Sequence, residues 1–188
     1  MTELTIKNMV CARCIRVVSE ELFAGGFNPI HVQLGKVVLN EQLNDAATAN
    51  IKSILERNGF ELLVDGKAQL VEQIKAIIID LVYNSELSEL NVNISDFIAN
   101  KIGRDYSSLS NLFSSVESTT IEKYIISQKI ERVKELLVYN ELNLSEIAFM
   151  LGYSSVQHLS NQFKKVTGLT ATHFKQLGSP HRRSLDQL

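Results

Sequence analysis

A segment that returns after fifty residues constrains this chain more than any other feature. Leu109-Ser-Asn-Leu-Phe113 matches Leu159-Ser-Asn-Gln-Phe163, and the same offset pairs Asn93 with Asn143, Asp96 with Glu146 and Val116 with Val166. A duplicated block of this length is a duplicated supersecondary unit. In the second copy, Asn143 with Glu146 reads as a capping box, Gly152 can end that helix in the left-handed conformation, and Ser154 with Gln157 caps the next one. In that next helix Leu159, Phe163 and Val166 share one face, expected to be core, while Gln157, Ser160, Asn161 and Lys164 share the other. Each copy is therefore helix, tight turn, helix. A long helix opened by Thr119 and Glu122, with the stripe Ile126, Ile130, Val133 and Leu137, joins the copies and should pack against both.

The outward sets suit a groove. Ser107, Ser110, Asn111 and Ser114 in the first copy, and Ser155, Gln157, Ser160, Asn161, Lys164 and Lys165 in the second, are the candidate DNA-binding residues. Short hydroxyls and amides reach base edges, Asn and Gln bond adenine bidentately, and lysines neutralise phosphates. Two recognition helices held by one linker can enter successive major grooves, so double-stranded promoter or operator DNA is the expected partner, with RNA polymerase a further candidate. A helical bundle that docks another protein is the alternative. The formal net charge of −2 means that any grip on DNA comes from local charge.

Upstream, the pattern changes. Residues 3–8 alternate as a strand with Leu4 and Ile6 on one face, Ile15, Val18 and Leu22 mark a helix, and residues 29–34 and 36–39 make two strands around Gly35. Residues 46–56 form a second helix and residues 60–64 a last strand. The β-α-β-β-α-β order predicts a ferredoxin-like domain over residues 1–65. An all-helical tandem helix-turn-helix domain over residues 66–178 then makes the chain α+β, and residues 179–188 form a polar, flexible tail with Pro180. The junction Asp65-Gly66 is too short for independent tumbling, because Lys67 to Tyr83 already reads as a helix with Val71, Ile74, Ile78 and Leu81 inward.

The only two cysteines, Cys11 and Cys14, stand at the start of the first helix. They can be inert buried thiols, a redox pair, half of a zinc site or a site for a soft ion. A structural Zn(II) wants four ligands, and His31, His158, His173 and His181 are scattered. A helix start should favour a Cys14 thiolate, and two thiolates on a loop suit Cu(I). His31 and His158 read as surface residues. No apolar run approaches the roughly 18 residues of a membrane span, and residues 1–7 lack the plan of a signal peptide. The expectation is a cytoplasmic protein. No nucleophile–base pattern, phosphate loop or carboxylate pair suggests an enzyme.

Two resemblances sharpen these expectations. Residues 68–177 resemble the DNA-binding domain of the AraC/XylS transcription regulators, through Ser145-Glu-Ile-Ala-Phe-Met-Leu-Gly-Tyr-Ser154 and Phe163-Lys-Lys-Val-Thr-Gly168. This implies a bihelical DNA reader whose base contacts map to the outward residues above. The first copy departs from that pattern, with Ser114-Ser115 where a basic pair is expected. Residues 3–64 resemble the heavy-metal-associated domain of copper chaperones and metal-transporting ATPases, through Met9-x-Cys11-x-x-Cys14. That implies Cys11 and Cys14 as metal ligands, Met9 as a buried support and Phe60 as a ring near the site. Val10, where zinc-preferring members often carry an acid, favours Cu(I) or Ag(I) over Zn(II), and exchange with copper-handling proteins would follow. Asn8 stands where that family usually has glycine. Together these imply a metal-responsive, copper-linked transcription regulator. A copper chaperone whose helical part docks a protein, and a thiol-redox-sensing regulator, are the alternatives.

Overall fold

The computed structural model describes residues 1–177. Contacts divide the chain into two compact units, one from Met1 to Ala76 and one from Ile77 onward. The expected tail at 179–188, and His181 with it, lies outside the described residues.

The first unit runs β1 (Thr2–Lys7), α1 (Ala12–Ala24), β2 (Pro29–Gln33), β3 (Lys36–Leu39), α2 (Asp45–Arg57) and β4 (Glu61–Leu63). Its strands form one sheet in the order β2-β3-β1-β4, with every pairing antiparallel. Leu4 and Ile6 of β1, Val37 and Leu39 of β3, Val18 and Leu22 of α1 and Ile51, Ile54 and Leu55 of α2 close a single apolar core. The alternation read in β1 is thus real, although Thr5 is also buried. Gly25 ends α1 where the site of a Cβ lies 2.4 Å from Ile54 Cδ1 of α2, so a side chain there would have to turn the end of Ile54 aside.

Helix α3 (Gly66–Asn84) follows at once. The division between the units falls within it, past the sequence boundary at Asp65-Gly66, because its first turns pack on the sheet unit. Gln69 donates to the carbonyl of Leu63, and a Cβ on Gly35 would lie 3.4 Å from that of Ala76.

The second unit contains a 3₁₀ turn at Leu87–Glu89, then α4 (Ile94–Ile102), α5 (Tyr106–Glu117), α6 (Ile121–Tyr139), α7 (Leu144–Met150), α8 (Val156–Thr167) and α9 (Ala171–Leu177). Helices α5 and α8 are each twelve residues and coincide under the fifty-residue shift. The duplication reaches further than the sequence match. Thr120 and Thr170 both accept from the amide three residues on, and the rings Phe113–Tyr124 and Phe163–Phe174 meet at 5.7 and 5.6 Å. Each copy is therefore a helix pair closed by the first turn of the helix that follows. Helix α6 packs against α5, α7, α8 and α9, as its apolar stripe requires.

Local expectations are corrected at three points. Thr120, not Thr119, caps α6, and Ser155, not Ser154, caps α8, each accepting from the amide three residues ahead. Ser154 instead contacts His158 Nδ1 at 3.2 Å. Asn143 and Glu146 make the full capping box, whereas Asn93 makes no side-chain cap. Asp96 is one methylene shorter than Glu146, and the reciprocal bond needs the longer arm. Finally, Val116 and Val166 are exposed rather than core, at 42% and 48%. They sit in the last turns of α5 and α8, past the point where Phe113 and Phe163 have filled the space beneath.

Candidate thiol loop and paired helix-turn-helix units

In the second unit the side chains proposed to meet DNA lie where the periodicity places them. Asn111, Gln157, Asn161, Lys164 and Lys165 are exposed, and Ser110, Ser114 and Ser160 are half-buried on the same helices. On the inner faces, Leu109, Phe113, Leu159 and Phe163 are all buried to 1% or less. Gln157 donates through its amide to Asn161 Oδ1 at 2.9 Å, so these two groups are already aligned one turn apart on α8. Ser155 spends an acceptor lone pair on the His158 amide but keeps its hydroxyl proton.

The first copy presents a different field. Ser107 donates to Asp105, which also accepts from the Ser108 amide, and these bonds hold the Asp105 carboxyl below its ordinary value. A firmly ionised carboxylate therefore sits at the start of α5. At the start of α8 the cap is the neutral Ser155.

A cluster unannounced by the sequence lies behind α8. Lys129 of α6 stands over the ring of Tyr153 at 5.1 Å, the Tyr153 hydroxyl donates to Gln162 at 2.6 Å, and His158 meets the Tyr153 ring edge-on at 5.4 Å. Burial lowers the Lys129 pKa to about 8 and raises that of Tyr153. A lysine that loses its proton more readily when folded makes the unfolded chain the more protonated state between about pH 8 and 10, so stability should rise with pH in that window. Below pH 8 the lysine is charged in both states and its penalty is constant. Thermal melts of the wild type and Lys129→Met should show this rise, on the order of 1–2 kcal/mol, only in the wild type.

The thiol loop belongs to the first unit. Cys11 is the N-cap of α1 and is exposed, and Cys14, three residues into the helix, is half-buried against the core. Their sulfurs lie 3.4 Å apart. Met9 is 1% exposed and Phe60 8% exposed, both in the core below the loop. The expected thiolate at Cys14 is corrected. Burial pushes its thiol up, the neighbouring Cys11 adds to this, and the amides of the helix start offset only part. Desolvation wins because Cys14 faces the core rather than solvent.

Among the described residues no cluster of three or more His, Cys, Asp or Glu side chains could hold a metal. Two thiols alone do not make a tetrahedral zinc site. They fit a soft ion of low coordination number, since 3.4 Å is inside the reach of two bonds of about 2.3 Å and the exposed Cys11 side chain is free to turn.

The loop is anchored by a residue the sequence marked only as a departure. Asn8 adopts a left-handed φ of 73°, its side-chain amide donates to the Gly59 carbonyl at 3.1 Å, and its backbone amide donates to Glu72 of α3 at 3.3 Å. Asn tolerates that conformation where most residues do not. Asn8→Val should lower stability by about 1–3 kcal/mol in a denaturant titration, and Asn8→Gly by less.

A helix-turn-helix domain model matches residues 98–177. The xylose operon regulatory protein of Escherichia coli K12 is 30% identical over 84 residues, which span 45% of this chain and 21% of that protein. The C-terminal part of the chain is similar to helix-turn-helix domains of transcription regulators. The chain thus spans about a fifth of the length of that relative. Probable transcription factor PqrA of Proteus vulgaris is 27% identical over 84 residues, covering 45% of this chain and 69% of that one. The C-terminal domain of AraT, a response regulator from Geobacillus stearothermophilus, shares the fold at 20% identity, with a TM-score of 0.51 over 63% of this chain and 95% of that one. The helix-turn-helix match begins within α4 and so takes in α5, α8 and α9. Among the described residues no helix is long and apolar enough to cross a membrane.

Proposed function

We propose that the chain is a DNA-binding transcription regulator that reads double-stranded DNA through α5 and α8 and responds to Cu(I) held by Cys11 and Cys14. One observation carries the DNA reading: two recognition helices of identical length and capping position sit on one connecting helix, each with its polar face exposed. The roles carried by the relatives' names, a regulatory protein and a probable transcription factor, support it. Selection of the full chain on a random duplex library should enrich two short half-sites about one helical turn apart. Recovery of sequences with no shared element would sink the reading.

The copper reading rests on the paired thiols at the start of α1, on Met9 and Phe60 beneath them, and on the split βαβ order of the first unit. Bound Cu(I) would supply no reaction, only a charge and a crosslink between Cys11 and Cys14. Because the Cys14 thiol is pushed up by burial, its use as a thiolate ligand releases a proton, and binding should strengthen with pH. One Cu(I) per chain should bind under reducing conditions, and the double variant Cys11→Ser, Cys14→Ser should bind none. Titration of both proteins on the selected duplex should then shift affinity about 5–150-fold in the wild type alone. The 3.4 Å between the sulfurs also favours reversible disulfide formation as the signal, and a response to oxidant without any to copper would establish that version instead.

A further inference from the structure

Helix α3 is not part of the βαββαβ order, yet its first turns close over the end of the sheet that carries the thiol loop. Glu72 is 6% exposed and accepts the Asn8 backbone amide at 3.3 Å. Gly35, in the turn between β2 and β3, has φ 71° and faces the same helix, with the site of a Cβ 3.4 Å from Ala76 Cβ and 3.7 Å from Glu72 Cγ. The Gly35 carbonyl in turn accepts from Ile6 of β1, two residues before Asn8. Glu72 thus sits where the loop, β1 and the β2–β3 turn converge.

The loop has little slack. Asn8 is tied to Gly59 and Glu72, Met9 is locked in the core, the Val10 backbone bonds the Cys14 thiol, and the Cys11 carbonyl accepts from the first amides of α1. Joining the two thiols through an ion must turn the exposed Cys11 and draw on the half-buried Cys14. A displacement of Cys11 therefore reaches the Asn8 peptide within three residues, and that peptide's N–H ends on Glu72. From Glu72 the helix runs unbroken to Asn84.

We propose that Glu72 is a positioning residue that couples the Cys11–Cys14 loop to α3, so that the state of the thiols changes the stability of that helix. The proposal rests on the Cu(I) reading above. A buried carboxylate is the right reporter, because its burial is tolerated only while its hydrogen bonds are kept, and a small shift of the Asn8 amide changes that balance sharply.

The test measures hydrogen exchange of the α3 amides in the full chain, with and without one equivalent of Cu(I), in the wild type, Glu72→Gln and Glu72→Ala. A competing Cu(I) chelator records binding in each. Cu(I) is expected to change α3 exchange by about fivefold or more in the wild type. Glu72→Gln, whose Oε1 still accepts from Asn8, should retain most of that change. Glu72→Ala should still bind one Cu(I) but show nearly equal exchange with and without it. A merely structural Glu72 would raise exchange in both states and leave their ratio as in the wild type, and that result would overturn the proposal. Failure of the wild type to take up Cu(I) in the chelator assay would overturn the metal reading itself, and would be seen before any exchange is compared.

Discussion

Phe163→Ala is expected to cost about 3–5 kcal/mol and to melt the second recognition unit at ordinary temperature. Phe163 is fully buried, and its ring meets Phe174 at 5.6 Å, so it ties α8 to α9. Lys134 of α6 stands over the same Phe174 ring at 6.0 Å, which brings the connecting helix into the cluster. Truncation would leave a cavity among three elements, none of which can move without releasing another. Phe113→Ala at the repeat-related position should behave alike, since Phe113 is as buried and meets Tyr124 of α6. Val166→Ala, four tenths or more exposed, should stay within about 1 kcal/mol of the wild type. Denaturant titrations of the three variants measure this. A Phe163→Ala protein less than about 1 kcal/mol below the wild type would mean that α9 does not close the unit.

The second large effect concerns which unit holds DNA. From residue 84 to 120 two cations, Lys101 and Arg104, stand against Glu86, Glu89, Asp96, Asp105 and Glu117, whereas from 142 to 177 Lys164, Lys165 and Lys175 stand against Glu146 alone. The structure adds to this contrast, because Asp105 is held ionised at the head of α5 while α8 begins at a serine. Phosphate neutralisation supplies much of the affinity and nearly all of its salt dependence. Lys164→Ala should therefore weaken binding to every duplex and flatten the plot of log affinity against log salt by about one unit. Lys164→Ala with Lys165→Ala should flatten it by about two. Asn161→Ala should act differently, relaxing preference at one base pair at a cost of about 1–3 kcal/mol on the selected site. Asn111→Ala should cost less than Asn161→Ala. A binding series in which Asn111→Ala proved the more damaging would show that the first unit leads, and that local charge does not rank the two.

Periodicity and spacing were enough to read the duplication, because a helix repeats its inward face in the sequence itself. Leu109, Phe113, Leu159 and Phe163 are core, Asn111, Asn161 and Lys164 are outward, and Asn143 with Glu146 is a capping box, all from contacts no more than four residues apart. The same holds for Cys11 and Cys14 at the head of α1. Tertiary structure decided what depends on residues far apart in the chain. Val116 and Val166 lie on the apolar faces of α5 and α8, yet among the described residues nothing packs over the ends of those helices tightly enough to cover them. Cys14 carries a raised pKa because the core behind it removes water, an effect that outweighs the helix start and has no trace in Cys-x-x-Cys. Lys129 and Tyr153 meet across two helices, and Asn8 meets Glu72 across sixty-four residues. Such pairings carry no period, so only the folded chain brings them together.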